Sequence, residues 1–328
     1  MNFLSISKQQ LKNLSNRWHR FWFIEIDPFI LGLYRFALGL FLTLDYLMLA
    51  PSWLKYYGPF GLSPDPVKSL TQYTILDPVL SYVTTDWVMW LYYAFSVFCA
   101  ICLTFGLLGR LPIIWLWLSM LSMTYRNIYV QNGEDQVLGI LLLFSMFLPL
   151  NASLNFKEIL LRRKWNLGVD TKVTTWALRP LQIHFALIYA LSIAPKLLYE
   201  PAWRDGTVIY YGMMSISFPQ WPGLDIFTWG NAFLSRVLAF YSLLLEALFP
   251  LLVWFRKFRL PLICGAVFLQ VGIGIFLSGV WVFNVVMVVA LILFLPSRRT
   301  RQWLENQMER AGRRWWKKAG KTNLTSLN

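Results

Sequence analysis

The sequence predicts an all-α fold, a polytopic transmembrane helix bundle of about eight spans with its N and C termini in the cytoplasm. Three observations lead to this prediction. Of the 328 residues, 57% are hydrophobic and 14% are charged, whereas a soluble domain carries about 25% charged residues. The apolar residues gather into runs of about twenty, the length that a helix needs to cross a bilayer. These runs are continuous rather than alternating at every second residue, which disfavours a transmembrane barrel.

The apolar runs place each span in turn, with short charged connectors between them. Two connectors, 51–84 and 199–231, are rich in aromatic residues, glycine and proline, which predicts ordered caps at the level of the headgroups. The chain therefore divides into a basic arm at 1–28, a membrane domain at 29–297 and a basic amphipathic tail at 298–328. The predicted spans are 29–50, 86–108, 111–130, 135–150, 177–198, 232–255, 259–277 and 279–297.

The basic residues are distributed unequally between the two faces of this predicted bundle. Of the 30 lysine and arginine residues, 23 fall in the arm, the tail and the connectors on one side, and five fall on the other. The positive-inside rule assigns the basic side to the cytoplasm. We therefore expect this face to contact the anionic headgroups of membrane lipids. We attribute the net charge of +14 to the orientation of the chain in the membrane and to contact with anionic headgroups, rather than to a nucleic-acid-binding surface.

Cysteine and histidine give little indication of chemistry. All three cysteines, Cys99, Cys102 and Cys264, fall inside apolar runs, so the sequence predicts no extracellular disulfide framework. Cys99 and Cys102 form a C-x-x-C, but in the middle of a helix they lack the helix N-terminus that activates a thiol. They are interpreted as packing residues. The two histidines, His19 and His184, are too far apart in the sequence to predict a metal site.

Four ionisable residues lie deep within predicted spans, where each costs about 2.5–3.5 kcal/mol on insertion scales and needs a partner or a purpose. Arg35 and Asp45 belong to the first span, and the sixth span contains Arg236 and Glu246. Because the two spans run in opposite directions, Arg35 matches Glu246 in depth, and Asp45 matches Arg236 in the same way. The sequence therefore predicts two ion pairs between neighbouring spans, Arg35–Glu246 and Asp45–Arg236. The alternative is a polar cavity in which one of these groups binds substrate.

Gln182, Tyr189 and Lys196 form a polar stripe along the fifth predicted span, since a spacing of seven keeps them on one face of a helix. Lys196 ends the stripe near the outer boundary, and Trp203 follows in the loop. One interpretation of Lys196 is a snorkelling anchor with its ammonium among the headgroups. The other is a general base in a partly dry pocket, where the stripe and Trp203 bind the substrate.

A second polar cluster is predicted on the same outer side, between the third and fourth spans. It contains Arg126, Asn132, Glu134 and Asp135. Acidic residues are favourable at a helix N-terminus, so one interpretation is a simple turn into the fourth helix. The other is a site shared with Lys196, to which Glu134 and Asp135 supply carboxylates. In that site the arginine and the asparagine would bind the substrate.

Four stretches of the sequence carry a resemblance to a known family. They are LYRFALGLFLTLDYL with KYYGPFGLSP, YRNIYVQNGEDQVLGILLLF, LQIHFALIYALSIAPKLLYEPAWRDGTVIYY, and LLEALFPLL. Together they resemble the HTTM superfamily, the membrane domain shared with vitamin K-dependent γ-carboxylases, over about residues 25–297. The resemblance implies a helical membrane domain with chemistry on its outer side. It matches Lys196 to the carboxylase lysine that deprotonates vitamin K hydroquinone, and so implies a reduced quinone as cofactor or substrate.

The chain departs from the carboxylase pattern in several places. Gln270 stands where many relatives have a histidine in the seventh span, and Glu134 and Asp135 stand where carboxylases have a histidine before the fourth. The sequence also ends soon after the eighth span, without the large domain that holds the carboxylase peptide substrate. These departures argue against strict γ-carboxylation. They favour a likeness to standalone members similar to sporulation-delaying protein B, a toxin maturation component.

Two functional hypotheses follow for a protein of the bacterial cytoplasmic membrane. The first is an enzyme related to the γ-carboxylases, whose outward-facing pocket uses Lys196 as a base on a quinol or an exported peptide. The second is a non-catalytic accessory for the maturation or export of a secreted peptide or protein. A transporter is disfavoured, because no pair of Gly/Pro-interrupted spans occurs in matching halves of the chain.

Overall fold

The computed structural model describes residues 8–62, 80, 83–156, 172–214, 232–307 and 310, and these residues are almost entirely helical. Much of the two predicted caps, at 63–79 and 215–231, and most of the predicted tail lie outside the described residues. The strands among the described residues are β1 (Ile24–Ile26) and β2 (Val173–Thr175). The helices are α1 (Lys8–Trp22), α2 (Phe29–Leu49), α3 (Trp53–Tyr57), α4 (Asp86–Phe105), α5 (Leu111–Arg126), α6 (Gly133–Ser145), α7 (Leu178–Leu198), α8 (Pro201–Asp205), α9 (Val208–Met214), α10 (Ala232–Leu252), α11 (Arg256–Phe276), α12 (Trp281–Leu291) and α13 (Ser297–Gln307).

Among the described residues, five helical segments are long and apolar enough to cross a membrane, so the chain is a multi-pass membrane protein. Trp281–Phe294 and Ser297–Gln307 form a further apolar pair bent by 105°, which makes a sixth span if the pair crosses as one unit. The eight predicted spans are thus confirmed only in part. The five segments are Phe29–Tyr57, Asp86–Phe105, Leu178–Tyr199, Phe233–Leu252 and Arg256–Ile275.

The third and fourth predicted spans form shorter helices than their apolar runs indicate. α5 has 16 residues and α6 has 13, which gives lengths of about 24 and 20 Å against a hydrocarbon core of about 30 Å. After α5 the chain turns at Asn127, whose side chain accepts a hydrogen bond from the Tyr129 backbone N–H at 3.1 Å. α6 begins at a capping box, in which Asp135 Oδ2 accepts a hydrogen bond from the Asn132 backbone N–H.

The helices form two groups that are joined mainly through α12. In the first group α2 packs against α4, and α5 and α6 continue the group. Gly39 permits the close approach of α2, because a Cβ at this position would lie 2.6 Å from the Cα of Thr104. In the second group α10 packs against both α7 and α11. α12 contacts α2, α6 and α11, so it connects the two groups.

Three segments of the chain meet at one end of the bundle. β1 pairs with β2 in antiparallel register, with Ile24 opposite Thr175. Just after β1, the side chain of Asp27 forms an ion pair with Arg301 at 3.3 Å, and its backbone carbonyl accepts a hydrogen bond from Ser297 Oγ at 3.0 Å. The beginnings of α2, α7 and α13 therefore lie at the same end of the molecule.

Candidate functional site

Lys196 and Glu246 join α7 to α10 through an ion pair. The Nζ atom of Lys196 lies 2.6 Å from Oε1 and 2.5 Å from Oε2 of Glu246. The side chain of Glu246 is 8% exposed and that of Lys196 is 20% exposed, so the pair is largely shielded. A carboxylate within a membrane domain is costly without a counter-charge, and Lys196 supplies this charge.

Two serine hydroxyl groups complete the surroundings of the carboxylate. Ser192 Oγ donates to Glu246 Oε2 at 2.7 Å, and Ser242 Oγ donates to Oε1 at 3.0 Å. Each serine lies four residues before Lys196 or Glu246 on the same helix, which places it on the same helical face. Glu246 thus accepts hydrogen bonds from three side chains.

A short helical cap, formed by α8 and α9, covers Lys196. Trp203 lies in α8, and the centre of its ring is 4.3 Å from Lys196 Nζ, a cation–π contact. Gly206 follows α8 with a φ of +78°, and a Cβ there would lie 2.9 Å from the Cα of Arg236. Glycine therefore suits both the left-handed backbone and the close approach. Ser235 Oγ donates to the Gly206 carbonyl at 3.1 Å, which holds the cap against the first turns of α10.

The turn between α8 and α9 has its own hydrogen bonds. Asp205 Oδ1 accepts from Thr207 Oγ1 at 2.6 Å and from the Thr207 backbone N–H at 2.9 Å. These bonds, together with the nearby charge of Arg236, hold the pKa of the Asp205 carboxyl below its usual value. Asp205 therefore stabilises the turn between α8 and α9. The cap residue that contacts Lys196 is Trp203.

The polar stripe lies on one face of α7, as its spacing predicts. This face is turned toward the bundle, but its members have different partners. Tyr189 is 3% exposed, and its hydroxyl accepts a hydrogen bond from Gln270 Nε2 at 3.2 Å. Gln182 donates through Nε2 to the Leu293 carbonyl at 2.8 Å. Gln182 lies about 21 Å from Lys196 along the helix axis, so it fastens the other end of α7 rather than lining the same site.

Arg35 does not pair with Glu246, so this predicted ion pair is wrong. The guanidinium of Arg35 is fully buried and donates to the carbonyl oxygens of Leu154 at 2.7 Å and Leu103 at 3.3 Å. Leu103 lies in the last turn of α4, where the negative end of the helix dipole suits a cation. Gly106, with φ of +70°, lacks the side chain that would occupy the space of the guanidinium. Arg35 therefore caps a helix end.

The second predicted pair, Asp45–Arg236, is also wrong. Arg236 lies beside Gly206 on the cap side of α10. Asp45 lies on α2, which packs mainly against α4, and no ion pair among the described residues includes it. Equal depth does not make two helices neighbours, and here α2 and α10 pack against different partners.

Arg126 is placed away from Lys196 and holds the chain that follows α3. It donates three hydrogen bonds to backbone carbonyls, from Nε to Tyr57 at 3.2 Å, from Nη2 to Gly58 at 3.3 Å and from Nη1 to Leu80 at 3.2 Å. These contacts stabilise the connector after the first span rather than a substrate pocket beside Lys196.

Asn132, Glu134 and Asp135 lie at the start of α6, as the turn interpretation predicts. The Asp135 carboxylate caps this helix by accepting a hydrogen bond from the Asn132 backbone N–H at 2.9 Å. Among the described residues, no hydrogen bond or ion pair joins either carboxylate to Lys196. The structure therefore does not bring the second cluster to the lysine, whose carboxylate comes from Glu246 instead.

The sequence analysis missed Ser192 and Ser242 and gave Glu246 the wrong partner. The serines could have been predicted from their spacing. A hydroxyl group four residues from an ionisable residue lies on the same face of a helix and can form a hydrogen bond with that residue. What the sequence lacks is any indication that α7 and α10 are adjacent. That adjacency comes from packing, including Phe249 of α10 against Tyr189 of α7, whose ring centres lie 4.7 Å apart.

Comparisons with known proteins leave the site to be interpreted from its geometry. No protein-family model, no curated protein and no solved structure matches this chain. Among the described residues, no group of three His, Cys, Asp or Glu side chains is arranged to hold a metal ion. The ion pair of Lys196 and Glu246, covered by Trp203, is therefore the candidate functional site.

Proposed function

We propose that this chain is an HTTM-like membrane protein whose functional site is the Lys196–Glu246 pair beneath Trp203. The observation that supports the proposal is the inward turn of Lys196 onto a carboxylate, with an indole ring over its ammonium. A snorkelling anchor would instead extend its ammonium to the headgroups. The ion pair, the two serines and the cap together make a sheltered polar site in an apolar bundle.

The pair is suited to exchange a proton without leaving a net charge behind. For the amine to act, the proton of the Lys196 ammonium passes to the Glu246 carboxylate, which gives a neutral amine and a neutral acid and leaves the net charge of the pair unchanged. The amine then removes a proton from a weakly acidic O–H group of the substrate and becomes an ammonium again. The serine hydroxyl groups accommodate both states of Glu246, since a hydroxyl both donates and accepts.

A reduced quinone and an exported peptide are the substrate classes that we propose for this chemistry. The resemblance to the γ-carboxylases supports the first, because a hydroquinone O–H is the acid that their lysine deprotonates. Strict γ-carboxylation is not part of the proposal. Gln270, Glu134 and Asp135 replace histidines of the carboxylase pattern.

We further propose eight membrane crossings with both termini in the cytoplasm of a bacterium, so that the site faces outward. In this topology α5 and α6 cross as a short hairpin, with local thinning of the bilayer around it. The distribution of 23 of the 30 basic residues supports the orientation and a face that contacts anionic headgroups. Nucleic acid is not among the proposed partners.

A second candidate function is a non-catalytic accessory for maturation or export of a secreted peptide. The observation that favours it is the complete set of partners around Glu246, namely Lys196, Ser192 and Ser242. A clamp between α7 and α10 would have the same contacts, with no proton to transfer. In that case the peptide binds at the end of the bundle that is covered by α8 and α9. The ion pair of Lys196 would then stabilise the structure of this binding surface.

The experiment that separates these functions uses the purified protein in liposomes. Consumption of a reduced naphthoquinone under oxygen is measured for the wild type and for Lys196→Ala, Glu246→Gln and Lys55→Ala. Lys55 is an exposed lysine outside the site and provides the matched control. Loss of a general base predicts rates lower by about 100-fold or more in the two site variants, with Lys55→Ala unchanged.

The same variants are compared in cells that export a candidate peptide, with maturation of the peptide followed by mass spectrometry. A folded Lys196→Ala protein that retains full quinol consumption or full peptide maturation contradicts the proposed base. The accessory function is supported if the wild type consumes no quinol and a conservative Lys196→Arg variant, which keeps the ion pair, still supports maturation.

A further inference from the structure

Two buried carboxamides on α11 and α12 have polar atoms that bond to no other described residue. Gln270 and Asn284 are each 4% exposed. Oε1 of Gln270 and both Oδ1 and Nδ2 of Asn284 lack a hydrogen-bond partner among the described residues. Buried amide groups in a membrane protein are nearly always satisfied, because lipid offers no replacement for lost water.

The two carboxamides lie on facing parts of neighbouring helices. Nδ2 of Asn284 is 3.4 Å from the position that a Cβ would occupy at Gly274. Gly274 follows Gln270 by four residues, so the two amides lie within about one helical turn, or roughly 6 Å along the axis of α11. The absence of a side chain at Gly274 allows the amide of Asn284 to approach α11 closely at this point.

The hydrogen bond of Gln270 indicates which chemical group could bind between the two amides. Its Nε2 is committed to the Tyr189 hydroxyl at 3.2 Å, which leaves Oε1 as an acceptor. Asn284 offers a donor in Nδ2 and a second acceptor in Oδ1. A hydroxyl group meets both needs, since it donates to an amide oxygen and accepts from an amide nitrogen. An uncharged guest fits best, because no carboxylate, ammonium or guanidinium group bonds to either amide in the described part of the chain.

We propose that Gln270 and Asn284 form a binding site for an uncharged hydroxyl group, supplied either by water or by a small hydroxylated molecule. The site lies at the inner end of a polar series that runs from Lys196 and Glu246 through Tyr189 to α12. Its occupancy does not depend on whether Lys196 acts as a base. It therefore goes beyond the proposed function and can be tested separately.

Leucine substitutions test the site through their effect on thermal unfolding of the purified protein in detergent. Asn284→Leu and Gln270→Leu remove the amides at similar volume. If the amides bind a hydroxyl guest, each variant loses those bonds and melts lower, by about 2–4 °C for each 1 kcal/mol lost. If the amides have no guest, leucine at position 284 removes a desolvation penalty, and Asn284→Leu melts at the same or a higher temperature, which overturns the proposal. Gln270→Leu melts lower in either case, because it also loses the bond to the Tyr189 hydroxyl.

The double variant serves as an internal control. When both amides bind the same guest, adding Asn284→Leu to Gln270→Leu lowers the melting temperature little further, because Gln270→Leu has already removed the guest. Fully additive losses indicate separate contacts and contradict a shared site.

Two further measurements identify the source of the hydroxyl group and remain informative if the variants fold poorly. Native mass spectrometry of the wild type shows an added mass if the guest is an organic molecule, and Asn284→Leu loses it. Density for an oxygen within about 3 Å of Asn284 Nδ2 in a cryo-EM map, without added mass, identifies water. A map of the wild type with no density between the amides overturns the proposal.

Discussion

The ammonium of Lys196 lies between the carboxylate of Glu246 and the ring of Trp203, 4.3 Å from the ring centre. A lysine near the end of a membrane helix is thereby held inside the protein by an aromatic cap. The access of reagents and substrates to this amine therefore depends on how firmly α8 stays in place.

Removal of the Trp203 ring should expose the amine. We expect Trp203→Ala to increase the labelling rate of Lys196 by a membrane-impermeant amine reagent, whereas Trp203→Phe retains most of the protection because a ring still covers the ammonium. Labelling of the exposed Lys55, measured on the same samples by peptide mass spectrometry, should not change. Equal labelling of Lys196 and Lys55 in the wild type would contradict the cap.

Separation of the ion pair should destabilise the protein strongly. We expect Glu246→Gln to lower the free energy of unfolding by up to about 3–5 kcal/mol, because a shielded ammonium is left without its counter-charge. The double variant Lys196→Met with Glu246→Met should be more stable than Glu246→Gln, since no charge remains. Chemical unfolding in mixed micelles gives the comparison.

The chain offers a matched control for this experiment in Lys172 and Glu25. Their side chains are 58% and 61% exposed, and they form an ion pair at 3.1 Å. Lys172→Met should change the free energy of unfolding by less than about 1 kcal/mol. Similar losses from both pairs would mean that the site is not shielded.

A side chain at Gly206 should displace the cap. Gly206→Ala places a Cβ 2.9 Å from the Arg236 Cα and requires a left-handed backbone, which costs about 1–2 kcal/mol before any clash. We expect lower stability and faster labelling of Lys196. Gly212 is the control, because it lies in α9 and a Cβ there meets nothing within 4 Å. Gly212→Ala should leave stability unchanged or raise it by about 0.5–1 kcal/mol.

The proposed orientation can be checked with single cysteines in a background that lacks Cys99, Cys102 and Cys264. Tyr129→Cys should react with an impermeant maleimide in intact cells, since Tyr129 is 78% exposed on the proposed outer side. Asn16→Cys, in the exposed part of α1, should react only after the membrane is opened. The opposite pattern would place the site in the cytoplasm.

The main helices were predictable because long apolar runs have few alternatives in lipid. The C-terminal ends of α5 and α6 were not, because Asn127 turns the chain before the predicted end of the third span and α6 ends at Ser145, before the predicted end of the fourth. The shared helical face of Tyr189 and Lys196 followed from their spacing of seven residues. The partner of Glu246 did not, because depth along a helix says nothing about which helix is adjacent. Arg35 shows the same limit, since the backbone carbonyls of Leu103 and Leu154 satisfy a cation for which the sequence predicts an acidic partner.

The 105° bend between Trp281–Phe294 and Ser297–Gln307 also affects how the molecule meets other proteins. In the proposed topology α12 crosses the bilayer, so α13 extends along the membrane surface instead of away from it. A membrane protein that bound α13 would meet it by diffusion in the plane of the bilayer. Confinement to a surface raises the effective concentration of two such proteins, so contacts that would be too weak in solution suffice there.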